Sequence, residues 1–344
     1  MVINARAAVR DEVTGVERWA KEMVTRLPRL RPNGYAVVAP PRALAHRAGH
    51  AWEQVALPVG AALRRASLVY SPANLAPLGW PRNVVLMHDA APFRNPDWYS
   101  PAYVSWQRAV VTRVARRALL VITVSEFARQ ELVDLLAVPP ERVVIVPGGV
   151  DARFRPNPDG EEELAKLGLR RPYVLSVASV SPRKNLTALE ETARRVAELG
   201  YELVVAGAAR AHLREGEARL DTMRLLGHVP EPSLPALYAG AAAFVLPSRY
   251  EGFGLVCLEA MAAGVPVVAS TAPALAETCG DAAILVDPDD QRGFADAVVR
   301  LLDDSDEARS LRERGLERAA DFSWDRAARE TDAVLREQAQ RVLE

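Results

Sequence analysis

The sequence predicts an α/β protein of two doubly wound domains facing across a cleft. Short apolar runs of strand length alternate with helix-forming stretches along the whole chain, the pattern of parallel sheets with helical crossovers. Several of these runs end on glycine, proline or a charged pair, at the strand ends where open α/β sheets hold ligands. A length of 344 residues suits two domains of ordinary size.

With 49% hydrophobic and 25% charged residues the composition is that of a soluble globular protein, and disorder is not expected. A formal net charge of -1 gives no reason to expect nucleic acid as a partner. Cys257 and Cys279 are too few for a disulfide framework, and Arg6 and Arg10 follow too few apolar residues for a signal peptide. The expected compartment is therefore the reducing cytoplasm. The apolar run 118–124 is far too short to span a bilayer. Just before it, Arg108, Arg113, Arg116 and Arg117 decorate a helix. A solvated face is the plainer reading of those arginines, and peripheral contact with anionic lipid at the inner membrane face is the other.

Taken in order, residues 2–5 form the first strand. Thr14 and Glu17 have capping-box spacing for a helix over 16–27, which puts Gly15 where strand hands over to helix. A diphosphate can approach backbone amides at such a glycine, and a plain turn glycine is an equal reading. Residues 35–39 and 68–70 are short strands. His46 and His50 stand four apart as a zinc half-site, but no cysteine or carboxylate cluster completes it and no metal is expected there. The strand 84–87 ends at His88 and Asp89, a titratable pair at a strand's carboxyl end. Residues 121–124 run into Ser125, a natural N-cap. After the strand 142–146, the Pro- and Gly-containing stretch from Pro147 to 159 reads as a linker, so domains are expected over 1–158 and 159–322.

The second domain opens with a strand over 173–178 and then places Arg183 and Lys184 at the expected start of a helix over 186–199. The helix dipole already makes that end positive, so two adjacent cations there call for an anion. A diphosphate would take Arg183 as a planar fork and Lys184 as a point charge. Strands at 203–206 and 223–226 end at Gly207 and at Gly227-His228-Val229. Residues 242–246, 255–263 and 265–269 read as strand, helix and strand, half of a parallel crossover. Glu251 lies in its loop, Glu259 on its helix, and Gly252 and Gly254 between them. Two glycines and the N–H groups of a helix start favour an anion or a hydroxyl-rich ligand. Glu259 falls among Leu258, Met261 and Ala262, where a carboxylate without a task is out of place. Asp287-Pro288-Asp289 is formally a D-x-D triplet, but it joins a strand over 283–286 to a helix over 291–302 and reads as loop and capping chemistry.

The segment E-G-F-G-L-x-x-L-E-A-M-A-x-G-x-P-V-V, from Glu251 to Val268, resembles the E-x7-E segment of the retaining glycosyltransferases of family 4, with Val256 where that family usually carries proline. The likeness spans nearly the whole chain and is strongest over 173–287. It implies the GT-B fold, two Rossmann-like domains with a C-terminal helix over 323–344 packed back on the first. It also implies transfer of a hexosyl unit, best matched to mannosyl, from a nucleoside-diphosphate sugar to a polysaccharide or lipid-linked saccharide hydroxyl. Retention of configuration without a metal follows from the same likeness, which is to bacterial surface-polysaccharide mannosyltransferases.

The resemblance places His88 beside the donor sugar, Gly15 at the phosphates and Arg183 and Lys184 on the diphosphate, where cations stabilise the leaving charge. It places Glu259 on the ribose, Glu251 with the backbone of Gly252, Phe253, Gly254 and Leu255 on the sugar, and Gly207, His228 and Val229 at the base. GDP-mannose is the favoured donor, with UDP- and dTDP-sugars open, and no further cofactor is implied. A nucleotide-sugar epimerase and an inactive scaffold subunit of the same fold are the alternatives. The joint presence of Arg183, Lys184, Glu251 and Glu259 argues against the scaffold. A phosphorylase-like enzyme would need a pyridoxal phosphate lysine, and no candidate stands out.

Overall fold

The computed structural model describes residues 1–10, 14–45, 49–156, 160–170, 172–207 and 221–344. His46, half of the histidine pair noted above, lies outside the described residues. The chain divides into two compact units. Met1–Arg94, Ala102–Gly149 and Trp324–Glu344 make the first, and Asn95–Pro101 with Val150–Ser323 make the second.

In the first unit the strands are β1 (Val2–Asn4), β2 (Ala36–Val38), β3 (Val69–Ser71), β4 (Asn83–Leu86), β5 (Leu120–Thr123) and β6 (Val143–Ile145). Among the described residues they form a six-stranded sheet in the order β2-β1-β3-β4-β5-β6, every pairing parallel. Central strands of such a sheet are covered on both faces, which is why β3, β4 and β5 are buried along their whole length. The helix Gly15–Leu30 opens with the expected capping box between Thr14 and Glu17 and buries Trp19, Met23 and Leu27 along one stripe. The last helix, Trp324–Leu343, belongs to this unit. Its Asp332 accepts hydrogen bonds from Tyr35 Oη and Arg31 Nε, each at 2.8 Å, and Trp324 meets Trp19 edge to face at 5.4 Å.

The second unit carries β7 (Tyr173–Val177), β8 (Glu202–Ala206), β9 (Arg224–Gly227), β10 (Ala243–Leu246), β11 (Val267–Ser270) and β12 (Ala283–Val286). Their order among the described residues is β12-β11-β10-β7-β8-β9, again all parallel. Each sheet therefore reverses its strand order once, the first between β1 and β3 and the second between β7 and β10. Ligands of open α/β sheets bind beyond the carboxyl ends of the strands at that reversal.

Two elements differ from the sequence expectation. Residues 265 and 266 precede β11 because they finish the helix Leu255–Ala262: Gly264 takes φ +74, and the N–H groups of Gly264 and Val265 bond back to the carbonyls of Met261 and Ala260. The helix expected over 186–199 is a 3-10 turn, Leu186–Leu189, followed by the helix Glu190–Glu198.

Candidate active site

At the reversal of the second sheet, the chain leaving β7 meets the chain leaving β10. A short 3-10 turn, Pro182–Lys184, follows β7, and Asn185 closes it in the left-handed region at φ 53. Arg183 and Lys184 thus sit in the last residues of a short turn and not at the start of a longer helix, so the dipole argument made from sequence does not apply to them. Their anion is instead within the chain. Lys184 Nζ lies 2.5 Å from Glu251 Oε1, and Ser248 Oγ donates to the same oxygen at 2.8 Å. Arg183 Nη1 stands 3.7 Å from Glu251 Oε2.

Lys184 and Glu251 are only 8% and 7% exposed, so neither is a solvated surface group. Burial pushes the Lys184 ammonium below its ordinary range, against the upward pull of Glu251. Burial pushes the Glu251 carboxyl up, but Lys184, Arg183 and the hydrogen bonds from Lys184 and Ser248 together outweigh it and hold the group below the usual carboxylate range. The cluster sets two basic side chains, Lys184 and Arg183, against one carboxylate.

Glu259 lies on the helix Leu255–Ala262, buried, and its Oε2 accepts from Tyr238 Oη at 2.9 Å. The loop between the two glutamates is tightly fitted. Gly254 caps the helix at φ +114, and a Cβ there would fall 2.7 Å from Leu275 Cδ2. The Phe253 carbonyl accepts from Thr278 Oγ1 at 2.7 Å, and its ring meets Phe322 at 5.7 Å. Leu255 is the first helical residue. Farther along the sheet, the Gly207 N–H donates to the Gly227 carbonyl at 2.8 Å, tying the ends of β8 and β9 together. His228 is exposed, whereas the Val229 side chain belongs to the core, so Val229 offers a ligand only its backbone.

In the first unit, Gly15 opens its helix, and among the described residues nothing lies within 4 Å of where a Cβ would stand. His88 follows β4, and its N–H donates to Asn74 Oδ1 at 3.0 Å. Its ring meets Trp19 edge-on at 5.9 Å, and Trp19 Nε1 in turn donates to Tyr70 Oη at 3.1 Å. Nε2 of His88 is buried and has no hydrogen-bond partner among the described residues. Burial lowers the imidazole from 6.5 to about 4, against the upward pull of Asp89 and Glu17. Glu17 accepts from Arg10 Nη1 at 3.1 Å and from the Thr14 N–H at 3.2 Å, so both its oxygens are engaged. Ser125 does cap its helix, accepting from the Ala128 N–H at 3.0 Å.

The depressed histidine has a consequence for stability. A group whose folded pKa lies below its unfolded value makes its full contribution above the unfolded value of 6.5 and loses it as the pH falls toward 4. For His88 the loss is about 3 kcal/mol in all. His88→Gln should therefore flatten the fall in urea midpoint between pH 7 and pH 4.5, and an unchanged slope would count against a buried neutral imidazole.

The D-x-D triplet is occupied by the protein itself. Asp287 Oδ1 accepts from the Asp289 N–H at 2.8 Å, Asp289 pairs with Arg249 Nη1 at 2.5 Å, and Asp290 caps the helix Gln291–Asp303. Among the described residues no group of three or more His, Cys, Asp or Glu side chains is placed to hold a metal ion. Among them, too, no helix is long and apolar enough to cross a membrane, and Arg108, Arg113, Arg116 and Arg117 are all exposed. Ser248, Tyr238, Trp19 and Asn74 hold the site's side chains in place, and sequence reasoning did not find them in that role. Tyr238, Trp19 and Asn74 act through partners distant in the chain, whereas Ser248 lies three residues before Glu251, a spacing that a serine in any loop can have.

Two parallel six-stranded sheets, each with its polar residues gathered at strand carboxyl ends, are the GT-B class of nucleotide-sugar enzymes. Sucrose-phosphate synthase from Thermosynechococcus elongatus has this fold, with a TM-score of 0.74 at 20% identity over 98% of each chain. Residues 29–154 match the family described as Glycosyltransferase Family 4, and residues 171–304 that described as Glycosyl transferases group 1. The O-antigen chain mannosyltransferase B of Escherichia coli is 33% identical over 262 residues, which cover 73% of this chain and 69% of that one. A GDP-mannose-dependent alpha-(1-6)-phosphatidylinositol monomannoside mannosyltransferase of Mycobacterium tuberculosis is 34% identical over 260 residues, 67% of this chain and 64% of that one. The chain belongs to the family 4 glycosyltransferases, and its activity is glycosyl transfer.

Proposed function

We propose that the protein moves a mannosyl unit from GDP-mannose to a hydroxyl of a polysaccharide or lipid-linked saccharide, with retention and without a metal. The observation that carries the donor site is the buried Lys184–Glu251 pair with Arg183 beside it, at the strand-order reversal of the second sheet. Two basic side chains against one carboxylate suit a diphosphate, and their electrostatic value grows as the diphosphate leaves. Glu259, oriented by Tyr238, takes the ribose hydroxyls, and the backbone from Gly252 to Leu255 takes the sugar with Glu251. Gly207, His228 and Val229 receive the base. Residues 159–322 thus serve the donor and residues 1–158 the acceptor side.

In the first unit the neutral His88 imidazole hydrogen-bonds a sugar hydroxyl rather than adding charge. Among the described residues nothing demands glycine at position 15, which has neither a left-handed φ nor a described neighbour crowding it, and this supports its reservation for a phosphate. The acceptor oxygen bonds to the anomeric carbon as the bond to the diphosphate oxygen breaks on the same face, and the acceptor proton passes to that leaving oxygen. Glu17 is poorly suited to act as a covalent nucleophile because its oxygens hold Arg10 and Thr14. A glycosyl-enzyme trapped and seen by mass spectrometry would overturn this step.

The donor is tested by thermal unfolding in EDTA with GDP, UDP, ADP and dTDP on wild type and Glu259→Ala. GDP at a hundredfold excess over its dissociation constant should stabilise wild type by about 2.7 kcal/mol, and Glu259→Ala should lose the gain. Stabilisation by UDP or dTDP instead would replace the base and keep the site. No effect from any nucleotide would overturn the donor site.

A further inference from the structure

The helix Gly49–Leu63 of the first unit is apolar nearly all round, and half of it faces outward. Its inward residues Leu57 and Ala61 pack with Val2 of β1 and Val69 of β3. His50, Glu53 and Gln54 are its polar residues, and two of them are spent inside. Glu53 is 1% exposed beside Arg6, while Gln54 donates to the Ala76 carbonyl at 3.2 Å and accepts from the Leu78 N–H at 2.7 Å. Turned the other way are Val55, Val59 and Leu63, 67%, 55% and 80% exposed, with exposed Ala56 and Ala62 among them. A surface helix carries polar residues on its solvent face, and one that is apolar all round is normally buried. A contiguous apolar patch left in the open marks an interaction site.

Charge decides what covers it. Residues 31–88 hold six arginines and one acidic residue, the buried Glu53, although the whole chain has a net charge of only -1. Exposed arginines stand at both ends of the apolar face. Arg64 and Arg65 follow its last turn, where Arg65 takes φ 50 as the helix ends. At the other end, Arg42 and the exposed Leu44 belong to a 3-10 turn, and the Leu44 carbonyl lies 3.0 Å from where a Cβ on Gly49 would stand. The neighbouring helix Pro101–Arg117 meets the start of this one through Trp106 and His50, whose rings are 5.1 Å apart, and it carries exposed Arg108 and Arg113. A second copy of the chain is a poor cover for such a face. A two-fold contact would set arginine against arginine, with no exposed carboxylate of residues 31–88 to answer them.

We propose that this face docks on a bilayer bearing anionic phospholipid. The helix, about 22 Å long, is too short to cross a bilayer but suited to lying along one. Val55, Val59 and Leu63 enter the boundary between headgroups and acyl chains, while Arg42, Arg64 and Arg65 meet the lipid phosphates. Arginine serves here because its stem covers apolar surface and its guanidinium stays at the headgroups. The arginines of the helix Pro101–Arg117 lie at the edge of this surface and add to its charge. Docking needs no nucleotide sugar, so it is independent of the donor site.

Flotation of the full chain tests it, with vesicles of phosphatidylcholine alone and of phosphatidylcholine with an equal amount of phosphatidylglycerol. Wild type should float with the mixed vesicles and far less with the neutral ones, and added salt should release it. Arg64→Gln and Arg65→Gln should each weaken the partition about fivefold. Val55→Asp with Val59→Asp should weaken it about tenfold or more, whereas Val55→Leu with Val59→Leu should keep it. Both valines are exposed, so the aspartate variant should hold the wild-type urea midpoint, and Val55→Ser with Val59→Ser carries the test should it not. Equal flotation with neutral vesicles, or flotation indifferent to the valine substitutions, would overturn the proposal. So would a monomeric wild type that never floats, which would leave the face to another protein. A wild-type dimer that Val55→Asp turns into monomers would give the face to a second copy and overturn it as well. Flotation by a protein that no nucleotide stabilises would instead overturn the donor proposal and leave the docking surface standing.

Discussion

Lys184→Ala should cost the protein about 3–5 kcal/mol of stability and about two to three orders of magnitude in transfer rate. The two losses have one origin. Lys184 Nζ and Ser248 Oγ both bond Glu251 Oε1, and Glu251 is almost wholly buried. Removing the ammonium leaves a carboxylate in the interior with one hydroxyl and a guanidinium 3.7 Å away. Such a group is destabilising while charged, and the balance that now holds its pKa low shifts toward protonation.

The pH dependence separates this account from simple loss of packing. In wild type the depressed Glu251 contributes stability above its ordinary pKa and loses it as the pH falls through the lower folded value. In Lys184→Ala that acid-side loss should shrink, because on folding the carboxyl gains only Ser248 and the more distant Arg183. Lys184→Met, of similar length without the charge, should behave as the alanine variant does. Urea midpoints at pH 7 and pH 4, with transfer measured alongside, decide it. Stability within about 1 kcal/mol of wild type at pH 7 would mean that the pair is exposed enough for water to replace the lysine.

Much of the architecture was legible in the chain itself, and the reason lies in the residues. Strands such as β12 are short apolar runs bounded by turn residues, and the last helix, Trp324–Leu343, carries apolar residues at helical spacing. The helix Gly49–Leu63 was not legible, because it holds Pro58 and two glycines and turns Val55, Val59 and Leu63 outward. Its apolar residues therefore mark no single buried stripe. The helix Ser305–Ala320 was hidden for the opposite reason: among sixteen mostly charged or small residues only Leu311, Gly315 and Ala319 are buried.

In the site, residue types were legible and partnerships were not. Glu251, Glu259, Arg183 and Lys184 stand out by their kind and spacing, but Lys184 and Glu251 are 67 positions apart. Only the placement of β10 beside β7 brings them together. A pattern read along the chain sees two cations and seeks an external anion, whereas the folded chain answers part of that charge itself. In the proposed donor site the second basic group, Arg183, is what remains for a diphosphate. The same holds for Tyr238 and Glu259, which meet across two helices.

Gly207→Ala should be as damaging as the loss of Lys184, although it removes no chemistry. A Cβ at this position would stand 2.2 Å from the Ala178 carbonyl oxygen and 2.6 Å from its carbon, and the residue holds φ +142, where an L side chain is strained. The obstacle is backbone, so no side-chain rotation relieves it. The Ala178 N–H bonds the Ala206 carbonyl at 2.9 Å, which fixes the end of β7 against the end of β8. Relief requires those two strand ends to part, at a cost of about 3 kcal/mol or more. The segment that must move leads directly into Arg183 and Lys184, so the variant should also lose nucleotide-induced stabilisation, and lose more of it than its lower melting temperature alone would bring. Gly15→Ala is the matched control, because a Cβ there meets nothing within 4 Å among the described residues. It should melt within about 0.5 kcal/mol of wild type while transfer falls, if the open space at position 15 belongs to a phosphate. Gly207→Ala with wild-type melting would show that β7 and β8 can separate at no cost, and would remove the rigid seat on which the cation pair depends.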